Sequence, residues 1–225
     1  YTAFSGSHQD AIKKGMAALA ADYDRWEVPY LPIDPHHVGR TYEAVVRVNS
    51  QSGKGGVSYI LLHDYLMDLP RGCQVDFTNR VQAIADETSE EITSFEIWRE
   101  FEATYLTTAT PFELVSARVE SDFDDERPAT VTARIRHHGE ETEVRGEGNG
   151  PIDAFIGAIR THAGMGFRLT AYEEHAIDAG SDARAAAYVE LELESGRRVW
   201  GVGIHPSIVM ASLRAVVSAL NLATG

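Results

Sequence analysis

Residues 129–136 alternate without a break, with Val131, Ala133 and Ile135 on one side and Thr132, Arg134 and Arg136 on the other. A period of two fits a strand with one buried and one solvated face, not an amphipathic helix. The pattern returns downstream, where Val189, Leu191 and Leu193 alternate with Glu190, Glu192 and Glu194. Each run ends in a turn signal, His138-Gly139 or Ser195-Gly196, and a second strand follows, near Glu141 to Arg145 or at Arg198 to Ile204. Gly148-Asn149-Gly150-Pro151 then leads into a helix with Ile152, Phe155, Ile156 and Ile159 inward. In the later copy Pro206 opens a helix with Val209, Leu213, Val216 and Leu220 inward. A further strand fits ahead of each set, at Phe112 to Glu120 and Phe167 to Ala176. The plan is two βββα units in tandem, able to share one core with a helix on a face of each sheet.

The first 106 residues follow a different period. Ser7 is a good N-cap with Asp10 three residues on, and Ile12, Met16 and Leu19 mark one face of the helix that follows. Pro29, Pro32 and Pro35 exclude an α-helix interior between Val28 and Pro35, so that stretch reads as extended. Thr41 to Val48 alternates until Gly53, Gly55 and Gly56 break the pattern, and Val57 to Leu62 fits either a strand or a short helix. Phe77, Val81 and Ile84 share a face of a helix over Val75 to Ala85. Thr93 and Glu96 form a capping box that starts another, with Ile97, Phe101 and Tyr105 as its stripe. Thr107 to Pro111 reads as a linker, and the fold class is α+β.

Composition narrows the function classes. The net charge of −14 and the scattered Lys and Arg argue against a nucleic-acid partner. Hydrophobic residues at 44% and charged residues at 24% exclude a disordered chain. Cys73 is the single cysteine, which rules out an intrachain disulfide and fits a reducing cytoplasm. No run of 18 apolar residues suggests a membrane span. The chain opens Tyr1-Thr2-Ala3-Phe4 rather than with Met, and further material is expected upstream.

Few motifs carry chemistry. Gly53-Lys54-Gly55-Gly56 lacks the spacing and hydroxyl of a phosphate loop. The adjacent pairs His36-His37 and His137-His138 point opposite ways on an extended chain, so neither is expected to chelate a metal. Gly146, Gly148 and Gly150 fall short of a dinucleotide fingerprint. They fit a strand turning sharply into a helix, and the same geometry leaves free N–H groups that suit a small carboxylate. His8, one residue inside the first helix, is held toward its neutral form by the positive helix end. It is either a solvated residue or a proton-transfer group. Tyr30 is by default an anchoring aromatic.

Several segments together resemble the 2-isopropylmalate synthase family. They are Phe4-Ser5-Gly6-Ser7-His8-Gln9-Asp10-Ala11-Ile12, Val28-Pro29-Tyr30-Leu31-Pro32-Ile33-Asp34-Pro35, Gly39-Arg40-Thr41-Tyr42-Glu43 and Arg47 through Gly56. Gly148-Asn149-Gly150-Pro151, Tyr172-Glu173-Glu174-His175-Ala176 and Gly201-Val202-Gly203-Ile204 continue the match. The resemblance implies a Claisen-type condensation of acetyl-CoA with 2-oxoisovalerate. It is carried out in a (β/α)₈ barrel that holds a divalent metal and is absent here. No metal or other cofactor is expected in this chain. The implied parts are a linker subdomain over 1–40, a helical linker subdomain over 41–106 and a leucine-binding regulatory domain over 112–225. His8 and Tyr30 match residues that reach the barrel of a partner protomer in a homodimer. Gly148, Asn149, Gly150 and Pro151 match the leucine loop, and Leu169, Tyr172, Ala176, Ala183 and Ala185 match positions lining the pocket. Leu169 stands where a valine is expected, and Glu173 where a second tyrosine is common. The alternatives are a citramalate synthase with isoleucine as effector, or a dimerisation module with no effector.

Overall fold

The structure, a computed structural model, describes residues 11–12, 14–16, 18–19, 25–39, 55–88, 92–107, 110–121, 128–180 and 182–224. The chain divides into two compact units, Tyr1–Glu100 and Phe101–Gly225.

In the first unit, Ile12 packs with Val28 and Leu31, and Met16, Leu19 and Trp26 lean on that cluster. The helical face read from Ile12, Met16 and Leu19 is therefore real, while Ser7, Asp10 and the strand pattern at Thr41–Val48 lie outside the described residues. The proline-rich stretch is irregular until it reaches a short 3-10 helix, Pro35–Val38. Asp34, 3% exposed, caps that helix by accepting from the His36 N–H at 2.9 Å. His36 Nδ1 also sits 2.9 Å from the same carboxylate oxygen, so this histidine pair serves a buried aspartate. The Val57–Leu62 ambiguity resolves as helix α1, Gly55–Tyr65. Helix α2, Arg71–Thr88, buries Cys73, Phe77, Val81 and Ala85. Helix α3, Ser94–Phe101, starts at the expected capping box: the Thr93 N–H donates to Glu96 Oε2 at 2.8 Å and the Glu96 N–H to Thr93 Oγ1 at 3.3 Å. That pairing holds the Glu96 carboxyl below its ordinary pKa.

The second unit opens with the π-helical turn Glu102–Leu106, where a regular continuation of α3 was expected. Strands β1 (Phe112–Glu120), β2 (Ala129–His137) and β3 (Glu140–Gly148) form one antiparallel sheet in chain order. Helix α4, Pro151–Ala163, follows. Strands β4 (Phe167–Ala176), β5 (Ala185–Leu193) and β6 (Arg198–His205) form the second sheet, and helix α5, Ile208–Thr224, closes the chain. The expected tandem βββα architecture is present. One core unites Val131, Ala133, Ile135, Phe155 and Ile159 of the first copy with Ala187, Val189, Leu191, Leu213 and Val216 of the second.

Two local features repeat with the copies. Register slips between Leu114 and Ser116 in β1 and between Leu169 and Ala171 in β4, one extra residue in each strand. Such a bulge reverses the facing of everything after it. Leu114 and Ala117, three apart, therefore both pack on the core, as do Leu169 and Tyr172. The second feature is helix-to-strand contact. A Cβ on Gly146 would lie 2.1 Å from the Ala154 carbonyl oxygen, and one on Gly203 would lie 2.1 Å from that of Ala211. Gly146 is paired with Val131 and Gly203 with Ala187, so the glycines hold matching places in the two sheets. The G-x-G patterns at these strands are thus packing devices that let each helix rest on its strand.

At the β2–β3 turn, His137 stacks on Phe112 at 4.2 Å, with the rings of His138 and His162 at 4.5 and 5.5 Å. The His162 Nε2 is buried and finds no hydrogen-bond partner among the described residues. Burial first, then the two neighbouring imidazoles, hold His137 below its ordinary pKa of 6.5. The unfolded chain then binds this proton more readily than the folded one. The stability conferred is complete above the unfolded value and declines as pH falls through it toward the folded value. The melting temperature is expected to drop between about pH 7 and pH 5. His137→Phe should flatten that part of a thermal-melt series, and an unchanged slope would remove His137 as its source.

Candidate functional site

Residues 149–153, at the start of α4, form one wall of a cavity of about 560 Å³, which Ile156 and Arg160 extend. The opposite wall comes from β4 as Arg168, Leu169 and Tyr172. The volume lies within the usual range for small-molecule sites. Pro151 occupies the first helical position, where its missing N–H costs nothing. Gly150, in extended backbone, supplies no side-chain cap, and the first turn of the helix borders the cavity. A Cβ on Gly150 would meet nothing within 4 Å. Asp153 folds back to accept from the Asn149 N–H at 3.1 Å, which pins the loop. Gly148 lies beneath the first turn of α4, where a Cβ would come within 2.5 Å of the Ala154 nitrogen.

The β4 bulge gives the cavity its second wall. Without the extra residue, Leu169 and Tyr172 would face opposite sides of the sheet. The Tyr172 hydroxyl donates to the Glu174 carboxylate and sits 2.9 Å from Ser212 Oγ on α5. Burial first, then the bond to Glu174, push its pKa up to about 12, so it stays a hydroxyl donor at neutral pH. Arg160 lies over the Phe167 ring at 5.3 Å. Arg168 pairs with Glu192 at 2.9 Å.

Of the residues named from the sequence, Asn149, Gly150, Pro151, Leu169 and Tyr172 come together at this cavity. Ala176 and Ala185 are cross-strand partners at the far end of the β4–β5 hairpin, Ala183 sits in the connection between those strands, and none of the three is among the lining residues. Tyr30 belongs to the first unit, 62% exposed and with a φ of 62°. His8 lies outside the described residues. Sequence reasoning missed Asp153, Arg160 and Arg168, and it took Ile152 and Ile156 only for core. The signal was available in part, because Ile152, Ile156 and Arg160 follow at intervals of four along one face of α4. Among the described residues no group of three or more His, Cys, Asp or Glu is placed to hold a metal ion. No helix of the described residues is long and apolar enough to cross a membrane.

A cavity between a helix start and a sheet, built on a duplicated βββα plan, has the size and lining of a small-molecule site. Residues 91–224 match the LeuA allosteric (dimerisation) domain, and residues 1–62 match the alpha-isopropylmalate synthase post-catalytic domain-like family. The chain belongs to the LeuA allosteric (dimerisation) domain family. Among its relatives, the 2-isopropylmalate synthase of Mycobacterium leprae is 51% identical over 99% of this chain and 38% of its own length. Those of Thermobifida fusca and Rhodospirillum rubrum are 53% and 49% identical over 99% and 98% of this chain, each across 40% of the relative. The chain thus spans about 40% of the length of these relatives.

Proposed function

We propose that the second unit senses leucine and lowers the rate of 2-isopropylmalate formation from acetyl-CoA and 2-oxoisovalerate in a barrel outside this chain. The observation that carries this reading is the cavity's two-sided character. An uncapped helix start offers N–H donors suited to a carboxylate, and Ile152, Ile156 and Leu169 offer an apolar wall suited to an isobutyl group. The names of the relatives and the allosteric family match support the choice of enzyme.

On this reading residues 1–40 and 41–106 are linker subdomains and 112–225 is the effector domain. Two copies of the chain pair through that domain, and the enzyme works in the cytoplasm. His8 and Tyr30 complete a partner's active site, with His8 able to move a proton. The divalent metal belongs to the barrel. Effector coupling of this kind is typically about 1–3 kcal/mol.

Calorimetric titration of the chain with leucine and with isoleucine, beside a sedimentation run, tests the proposal. Leucine-selective binding by a dimer is the expected result. Preference for isoleucine would move the chain to citramalate synthesis, and a dimer that binds neither would leave an assembly module.

A further inference from the structure

Helix α5 touches the cavity wall near its beginning and the segment that opens the second unit near its end. At the near end is the Ser212 contact with Tyr172. Ser212 Oγ also donates to the Ile208 carbonyl at 2.8 Å, so its single proton has two acceptors within reach. Farther along, Ser218 Oγ donates to the Tyr105 carbonyl at 2.7 Å and accepts from the Val202 N–H at 3.3 Å. Asn221 then grips Phe112 twice: its Oδ1 accepts from the Phe112 N–H and its Nδ2 donates to the Phe112 carbonyl, both at 2.8 Å. Ser218 and Asn221 are each 4% exposed. Tyr105 belongs to the π-helical turn, and Phe112 opens β1.

Such bonds are strong constraints, because buried backbone groups left without them lose their hydration uncompensated. Between its two ends α5 contains neither glycine nor proline. At 1.5 Å of rise per residue, Ser212 and Asn221 stand about 13 Å apart on one stiff element. A shift of α5 at the cavity is therefore delivered to Tyr105 and Phe112, the residues on either side of the connection between the π-helical turn and β1.

We infer that α5 carries occupancy of the cavity to the entry segment of the second unit, with Ser218 and Asn221 as the positioning residues that couple the two. This rests on the leucine reading above. A purely structural clasp would hold residues 101–112 equally with or without ligand, whereas a coupling clasp changes their protection when leucine binds.

Hydrogen exchange followed by mass spectrometry on the whole chain, with and without saturating leucine, separates these cases. Leucine should slow exchange in the peptide spanning 101–112 by at least roughly 5-fold. Ser218→Ala should keep its leucine affinity by calorimetry yet lose that response, and Ser218→Thr, which retains the hydroxyl, should restore it. Leucine binding by the parent chain without a change at 101–112 overturns the coupling and leaves the leucine site standing. Absence of leucine binding overturns both. A full response in Ser218→Ala overturns the role of Ser218, and the same measurement on Asn221→Ala decides whether any part of the clasp transmits.

Discussion

Gly203→Val is expected to destabilise the second unit by about 3 kcal/mol or more, because the new side chain would have to occupy the place of helix backbone. Its Cβ alone would stand 2.1 Å from the Ala211 carbonyl oxygen and 2.6 Å from the Ala215 nitrogen. Neither atom can rotate away, so the whole of α5 must lift from β6. That would open the core around Leu213 and Val216, both fully buried. Thermal and urea melts of the variant beside the parent would read the loss. Gly157→Ala is the control of opposite sign: position 157 is helical and a Cβ there meets nothing within 4 Å. That change should stabilise by about 0.5 kcal/mol or more through helix propensity and a less free unfolded chain. A Gly203→Val protein with the parent's melting temperature would show that α5 does not rest on β6 as described.

Gly150→Asp is expected to weaken leucine binding at least about 100-fold, roughly 2.7 kcal/mol, while leaving stability intact. The backbone at Gly150 is extended and open space surrounds its Cβ position, so the fold accepts a side chain there. The added carboxylate would sit at the start of α4, where the ligand's own carboxylate is proposed to lie. Two anions at one helix start repel each other and compete for the same N–H groups. Calorimetry on the variant, with a melt run in parallel, distinguishes a blocked site from an unfolded one. Leucine affinity equal to the parent's in a folded Gly150→Asp chain would place the ligand elsewhere.

Much of this architecture was legible from periodicity. The strands expected ahead of each unit coincide with β1 and β4, and the alternation in β2 and β5 assigns inward and outward faces correctly. The capping box at Thr93 and Glu96 is a local event, so local sequence announces it. What stayed hidden depends on partners distant in the chain. The bulges in β1 and β4 leave no mark in composition, since an extra residue shows only against the strand it opposes. For that reason Leu169 and Tyr172 could not be placed on one face from spacing alone. The role of Gly146 and Gly203 was equally obscure, because a glycine's reason can be an atom of another element rather than its own turn. Ile152 and Ile156 looked like plain core because a cavity wall and a core face share one helical period.

The same two side chains that clasp the entry segment have a second effect on how the molecule meets its neighbours. In the three-stranded orders of the two sheets, β1 and β6 are outer strands. An outer strand carries ladder groups that another chain could take up in sheet-to-sheet accretion. Asn221 occupies both ladder groups of Phe112, and Ser218 occupies the N–H of Val202. One helix thus plugs a border of each sheet with its own polar side chains, so that strand addition at those points would first have to displace a bond already made.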